Sequence, residues 1–135
     1  MLAVQSKELT EIQGINEPTI QQYFQSLNAA DYEKTASLFA ENGVMHPPFE
    51  SGIVGRDAIL SYLNKEAIDI KACPREGKNE ALEDSLTQTK VAGKVETPWF
   101  ALNVSWLFIL NENLQILDVK IKLLASPQEL LSLRK

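Results

Sequence analysis

Cysteine and histidine are almost absent from the sequence, which contains one of each, Cys73 and His46. A single cysteine cannot form an intramolecular disulfide, and such sparse cysteine use fits a protein of a reducing compartment. A single histidine excludes the histidine pairs that are typical of zinc sites, and no cysteine or carboxylate cluster at ligand spacing replaces them. The sequence therefore predicts no metal site.

Positive charge is also scarce. The chain has 13 lysines and arginines against 18 aspartates and glutamates, for a formal net charge of −5. The longest basic block is Arg134 and Lys135, so nucleic acid is not expected as a partner. The first residues lack a basic region followed by an apolar core, and no apolar run approaches the roughly 20 residues of a membrane span. We therefore expect a soluble, cytoplasmic protein.

Apolar residues are plentiful, at 44% of 135 residues, which is enough for one domain with a substantial core. The most apolar stretch, residues 95–110, contains both tryptophans. Apolar side chains recur there at every second position, as on one face of a strand: Leu102, Val104, Trp106, Phe108 and Leu110. The intervening positions are also largely apolar. The pattern predicts a strand in the middle of a sheet.

The first half of the chain carries helical patterns. Pro18 fits a first helical turn after an Asn16 N-cap, and an apolar stripe then predicts a helix over residues 17–28. Asp31 is expected to cap a second helix that Asn42 and Gly43 would stop. Residues 57–67 show the pattern of a third helix. Short strands, including residues 43–46, are predicted between the helices.

The second half carries strand patterns. Residues 68–76, 86–96 and 116–124 alternate between apolar and polar positions, residues 78–84 suggest a loop, and Ser126 begins a closing helix. Helices followed by long strands predict an α+β domain, in which helices pack on the concave side of a curved antiparallel sheet. The resulting cone would hold a pocket at its mouth. We place the domain at residues 15–135, after an N-terminal tail of residues 1–14.

Three ionisable residues are candidates for chemistry. His46 leaves a strand and is either structural or the base of a catalytic site. Asp118 shares a strand face with Lys120 and Lys122, so it is either a solvated residue or a general base. Glu66 continues the apolar stripe of the third helix, and it either emerges from the core at a helix end or meets a partner.

Several motifs together resemble one family. They are N-E-P-T-I-Q-Q-Y-F from Asn16, L-N-A-x-D-Y-E from Leu27, L-F-A-E-N-G from Leu38, H-P-P-F from His46, I-V-G-R from Ile53, K-V-x-T-P-W-F from Lys94 and L-L-A-S-P-x-E-L-L from Leu123. The run resembles the C-terminal domain of the orange carotenoid protein family of cyanobacteria, within the nuclear transport factor 2-like superfamily. The match extends from about residue 14 to residue 135 in consistent order. The helical N-terminal domain of that family has no counterpart in this sequence.

The resemblance implies roles for particular residues. It assigns to Tyr23 and Trp106 the hydrogen bonds to the keto oxygen of a carotenoid, and to Trp99 a further pigment-binding position. It assigns Glu66, which pairs with the other domain in the two-domain family, to an interface. It implies no catalytic residue, so we do not expect an enzyme.

The function implied by the resemblance is that of a homologue standing alone. Such a protein binds a ketocarotenoid such as canthaxanthin or echinenone, quenches singlet oxygen for photoprotection, and exchanges pigment with helical carotenoid proteins. A homodimer sharing one carotenoid and transient contact with a carotenoid-bearing membrane are the expected associations. Two alternatives stay open: a small-molecule isomerase or dehydratase of the same superfamily, and an interaction module without a ligand.

Cys73 is the remaining candidate for an interface. Pro74 keeps it extended, and Lys71 and Arg75 are expected to stabilise its thiolate. With no second cysteine in the chain, a disulfide at Cys73 would join two copies. We predict a redox-controlled Cys73 bridge in the homodimer, against the alternative of an inert buried thiol.

Overall fold

The computed structural model describes residues 12–124. Within that range it contains three helices, α1 (Pro18–Asn28), α2 (Tyr32–Ser37) and α3 (Arg56–Glu66). It also contains six strands, β1 (Phe39–His46), β2 (Ile53–Val54), β3 (Lys71–Ala81), β4 (Thr87–Glu96), β5 (Ala101–Leu110) and β6 (Ile116–Leu124).

The six strands form one curved sheet in the order β2-β1-β6-β5-β4-β3, which confirms the predicted α+β cone. The sheet is not wholly antiparallel as expected, because β1 runs parallel to β6. A parallel pair needs a long crossover connection, and the chain between β1 and β6 supplies one through α3 and the four strands β2 to β5. The helices pack on one face, which we call the concave face, and the opposite face is the convex face.

The predicted alternation in β5 is confirmed. Its even-numbered residues from Val104 to Leu110 face the core and are at most 2% exposed. An aromatic cluster forms where they meet α1 and β1. Phe24 lies edge-on to Trp106 with ring centroids 4.8 Å apart, and Tyr23 lies edge-on to Phe108 at 5.1 Å. Such edge-to-face pairs add to the burial of apolar area and fix ring orientation.

Helix α1 is confirmed and is held at both ends. Its N-cap is Glu17 rather than Asn16, because the Glu17 carboxylate accepts from the Thr19 N–H. At the other end, the Asn28 side-chain amide donates to the Ala72 carbonyl at 2.8 Å, and its oxygen accepts from the Ala72 N–H at 2.7 Å. These contacts join α1 to the start of β3, so the direction of its buried side chains is fixed.

Two local predictions were wrong. The second helix ends at Ser37, and Asn42 and Gly43 lie inside β1 instead of stopping a helix. Gly43 is required there because a Cβ atom would lie 2.6 Å from the Ile116 carbonyl oxygen of the neighbouring strand. Lys78 to Ala81, predicted as loop, extend β3 because they pair with β4. The closing helix at Ser126 lies outside the described residues.

The N-terminal boundary lies earlier than residue 15. Ile12 is 4% exposed within the core, and Gln13 pairs with Glu76 of β3. The Gln13 N–H donates to the Arg75 carbonyl, and the Gly77 N–H donates to the Gln13 carbonyl. Backbone pairing of this kind belongs to the domain and not to a tail. In the part of the chain that is described, no helix is long and apolar enough to cross a membrane.

Candidate functional site

A cavity of about 290 Å³ opens on the concave face, between the sheet and the helices α1 and α3. Its walls are predominantly apolar. They are formed by Leu27, Met45, Leu63, Ala67, Ile70, Ala72, Val95, Leu102, Val104, Ile121 and Leu123, with Pro47, Pro48 and Phe49 at the rim. A concave apolar site with few polar groups is the usual form of a small-molecule pocket.

Two residues of the cavity wall carry hydrogen-bond donors: Tyr23 of α1 has a hydroxyl, and Trp106 of β5 has an indole N–H. Their side chains are 1% and 2% exposed. Neither group donates a hydrogen bond to another described residue, yet no fully enclosed side-chain nitrogen or oxygen of the described chain lacks a partner. Both donors therefore reach the cavity surface. Buried donors are costly without an acceptor, and within the described chain both are free to donate to water or a ligand.

Burial keeps the Tyr23 phenol protonated. It raises the pKa of Tyr23 well above the ordinary value of 10.0, with a smaller contribution from Tyr62. The charged form of a buried phenol is disfavoured, so the group stays a neutral O–H donor over the physiological range. An apolar cavity with two fixed neutral donors can bind an uncharged ligand with one hydrogen-bond acceptor at its inner end.

The mouth of the cavity is more polar. Tyr62 and Glu66 of α3 and Thr97 line it. Burial, with the carboxylates of Glu50 and Glu66, raises the pKa of Tyr62 to about 12. Two carboxylates thus influence the mouth, while none lies at the deep end with Tyr23 and Trp106.

The two candidate bases lie together, but away from the cavity. The His46 Nε2 and Asp118 Oδ1 atoms are 2.6 Å apart, because β1 and β6 pair in parallel and place the two residues side by side. Both belong to the convex-face set of their strands, whereas Met45 and Ile121 line the cavity. Neither His46 nor Asp118 lines the cavity, so a general base there would have to be another residue.

Comparison with known proteins identifies the fold family. Residues 15–121 match the family described as the nuclear transport factor 2 (NTF2) domain. The chain belongs to this family. The NTF2-like superfamily also contains enzymes, so membership by itself does not decide between binding and catalysis.

The NTF2 domain described here is also similar to particular carotenoid proteins. It is 44% identical over 127 residues to the orange carotenoid-binding protein of Limnospira maxima and 40% identical over 131 residues to that of Synechocystis sp.. These matches cover 91% and 94% of this chain but 40% and 41% of the relatives, in their C-terminal portion. The chain thus spans about two fifths of the relatives' length.

A solved structure of such a relative has the same fold. The orange carotenoid protein of Anabaena (Nostoc) sp. PCC 7120, which binds canthaxanthin, matches with a TM-score of 0.85 at 44% identity. The match covers 92% of this chain and 41% of that protein. The resemblance stated from the sequence motifs is therefore confirmed.

Trp99, unlike Trp106, lies outside the cavity. Trp99 lies in the turn between β4 and β5 of the NTF2 domain, is 83% exposed, and does not line the cavity. The Thr97 hydroxyl accepts from the Trp99 and Phe100 N–H groups and fixes this turn. Because Thr97 does line the mouth, Trp99 can meet only the part of a ligand that lies outside the cavity.

The two predicted interface residues lie on different surfaces. Glu66 is exposed at the cavity mouth, at the end of α3. Cys73 is half-buried on edge strand β3 and pairs with Lys94 on the convex face. Lys71 lowers the pKa of Cys73 as expected, together with Lys94, but burial, followed by Glu96, raises it, and the net shift is upward.

Sequence reasoning missed two features of the mouth. Tyr62 lies within the third predicted helix, whose apolar stripe identifies an inward side chain but not a cavity at its tip. Pro47 and Pro48, which follow the strand predicted over residues 43–46, form part of the rim. The adjacent prolines followed by an aromatic residue at Phe49 could have indicated a fixed apolar segment.

Proposed function

We propose that this NTF2 domain binds a ketocarotenoid such as canthaxanthin or echinenone in the concave cavity. In this proposal the keto oxygen accepts hydrogen bonds from Tyr23 and Trp106, and the apolar walls cover the adjoining ring and part of the polyene. The observation that carries the proposal is the pair of buried donors that face an apolar cavity and have no acceptor among the described residues. The names of the similar proteins support the same ligand class.

The energetics favour an extended apolar ligand. Burial of apolar surface stabilises a complex by about 25 cal/mol per Å², whereas each neutral hydrogen bond adds only about 0.5 to 1.5 kcal/mol. Affinity would thus come from the walls, and the two donors would fix which end enters. A cavity of about 290 Å³ is at the low end for ligand pockets, so a forty-carbon pigment must project from its mouth.

The part of the pigment that projects from the cavity would need a partner to cover it, which favours the predicted homodimer. Exposed apolar side chains lie at or beside the mouth: Phe49, Trp99, Phe100 and Leu123. We propose that a second copy covers the projecting polyene in a homodimer. Opening of that dimer would allow pigment exchange with a helical carotenoid protein or a carotenoid-bearing membrane. Bound pigment would quench singlet oxygen through its polyene.

The test is expression in cells that produce ketocarotenoids. The wild-type protein is expected to purify coloured. Tyr23→Phe and Trp106→Phe should each lower pigment affinity about threefold to tenfold, because each loses one hydrogen bond, and should shift the absorption to the blue. Tyr32→Phe is the matched control, since its hydroxyl donates to the Ala67 carbonyl and it does not line the cavity. A colourless protein, or spectra unchanged in both cavity variants, would contradict the proposed site.

The homodimer is tested at Glu66. Glu66 lies at the mouth, so a dimer that covers the mouth would bury or pair this carboxylate. Glu66→Lys should change the dimer fraction of the pigmented protein by severalfold in sedimentation velocity. Lys90→Gln, on the convex face, serves as the charge control. A dimer fraction that responds equally to both changes would place the interface elsewhere.

An enzyme of the same superfamily remains the competing function. It would require a base within reach of the cavity, and His46 and Asp118 do not line it. Colourless protein from pigment-producing cells that converts a small substrate would establish that alternative. Colourless protein that instead captures a protein partner would establish an interaction module.

A further inference from the structure

The rim segment, residues 47–52, connects β1 to β2 and forms one lip of the cavity. Pro47, Pro48 and Phe49 line the cavity on one side. On the other side they line an outer depression of about 420 Å³ together with His46, Lys120 and Lys122. The rim segment is therefore a thin wall between the cavity and the outer surface.

Phe49 is held in an unusual conformation. Its φ angle is +65°, in the left-handed region that few non-glycine residues adopt, and its side chain is 92% exposed. Such a conformation persists only where the surrounding structure enforces it. The rim segment must therefore be fixed from its ends, because the Phe49 side chain itself has little to pack against.

Both ends of the rim segment meet at the His46 imidazole. His46 immediately precedes Pro47, and its Nε2 atom lies 2.6 Å from Asp118 Oδ1 on β6. At the other end, Gly52 approaches the same ring so closely that a Cβ atom there would lie 3.0 Å from His46 Cε1 and 3.1 Å from Nδ1. A side chain at position 52 would push the ring aside. One histidine thus joins the rim segment to the sheet.

The charges around His46 come from β6 and from the rim segment. From β6, Asp118 contacts the ring, and Lys120 lies opposite His46 in register with its Nζ atom 3.5 Å from Asp118 Oδ2. Lys122 lines the same depression. The rim segment itself carries Glu50 as its only ionisable side chain. The neighbouring β2 strand contributes only Ile53 and Val54.

We propose that His46 is a positioning residue for the rim segment, and that its protonation fixes the rim closed and slows the release of the cavity ligand. The part that concerns release rests on the proposed carotenoid function; the part that concerns the rim does not. Neutral His46 already donates a hydrogen bond to the ionised Asp118 carboxylate. Protonation adds a positive charge to the same contact, so a Coulombic attraction is gained beside the hydrogen bond.

Histidine is suited to this role because its charge changes between about pH 5 and 8. Lys120 competes for Asp118 through the second carboxylate oxygen, so the ring does not hold the aspartate alone. The rim is expected to be more mobile near pH 8 than near pH 5.5. Ligand release should be up to about fivefold faster at the higher pH, which is the size of effect expected from a partly exposed ion pair.

The rim is tested first on the pigment-free protein by NMR. His46 is the only histidine in the chain, so its ring resonance reports a single site. The Phe49, Glu50 and Gly52 amides should titrate with the same midpoint as the ring, and exchange broadening of the rim should increase as pH rises. Rim amides that do not follow the ring, or rim motion that is independent of pH, would overturn the proposal. This experiment requires no pigment, so it tests the role of His46 in the rim even if the protein is colourless.

Release is then measured on pigmented protein mixed with an excess of liposomes at pH 5.5 and pH 8. The wild type should show a difference in rate of up to about fivefold, and His46→Gln and Asp118→Asn should both abolish it. Lys90→Gln, a convex-face control away from the rim, should preserve it. A coloured protein whose release rate keeps its pH dependence in both rim variants would contradict the role of His46 and leave the proposed function intact.

Discussion

The two faces of the sheet use their polar groups in opposite ways. On the concave face, Tyr23 and Trp106 are almost fully buried and leave their donors without an acceptor among the described residues. On the convex face, His46 and Asp118 are partly exposed and are paired with each other, with Lys120 beside them. Within the described residues, the polar pair on the convex face is satisfied by its own neighbours, whereas these two donors beside the cavity are not.

This difference separates structural polar groups from binding groups. A polar pair on a wet surface contributes little to stability, and its residues need no ligand to explain them. A buried donor that faces a cavity is costly unless something accepts from it. The concave donors therefore indicate a ligand more strongly than the His46–Asp118 contact does. A histidine hydrogen-bonded to an aspartate resembles a catalytic pair, but this one does not line the cavity.

The largest expected effect comes from adding the same carboxylate to the two faces. Val104 and Ser105 are neighbours on β5, but Val104 is 1% exposed in the cavity wall and Ser105 lies on the convex face opposite Lys122. Val104→Asp should lower the free energy of unfolding by at least about 3 kcal/mol, because it buries an unpaired charge. Ser105→Asp should change it by less than about 0.5 kcal/mol. Urea denaturation measures both, and similar losses would contradict the assignment of the faces.

The sequence predicts the concave face well because that face is periodic. Alternation in β5 and the helical stripe of α1 depend on local chain geometry, and both elements are confirmed. The family resemblance then predicted that Tyr23 and Trp106 are the hydrogen-bond donors to a ligand. It did not reveal that both donors lack an acceptor among the described residues, because that depends on every side chain around the cavity.

The convex face and the rim could not be predicted in the same way. His46 and Asp118 meet through the parallel pairing of β1 with β6, whose residues are 72 positions apart in the chain. No local pattern indicates such a pairing. The prediction that Asn42 and Gly43 stop the second helix was wrong for a related reason. The pair is typical of a helix end, but here the close approach of the Ile116 carbonyl requires a glycine inside β1.

The next largest expected effect is the pH dependence of stability that Tyr23 on the concave face produces. Burial raises the pKa of Tyr23 above the ordinary 10.0, so above pH 10 the unfolded chain loses a proton that the native chain retains. Stability should therefore be intact below pH 10 and fall by up to about 1.4 kcal/mol per pH unit above it. Tyr23→Phe should make this fall shallower in alkaline urea titrations. Tyr62→Phe, at the half-exposed mouth, should have a smaller effect, and a reversed order would contradict the relative burial of the two phenols.

The smallest effect concerns Cys73 on the convex face, where burial and Glu96 raise the thiol pKa and two lysines lower it. The net result is a raised thiol pKa, so at pH 8 the native protein should hold less thiolate than the unfolded chain. Since the thiolate is the reacting form, iodoacetamide should modify native Cys73 severalfold more slowly than Cys73 in urea. A covalent dimer on non-reducing electrophoresis, absent in Cys73→Ser, should therefore form slowly.

Two further variants isolate the charges around this thiol. Glu96→Gln removes the carboxylate that raises the pKa of Cys73 and should accelerate alkylation, whereas Lys94→Gln removes a cation that lowers it and should slow alkylation. Cys73 is the only cysteine, so total modification reports this site alone. Equal rates in the native, unfolded and variant proteins would mean that the thiol is effectively solvated. Because Cys73 faces away from the cavity mouth, a Cys73 bridge would join edge strands β3 and not the two mouths, so the covalent dimer and the pigment-sharing dimer should form independently.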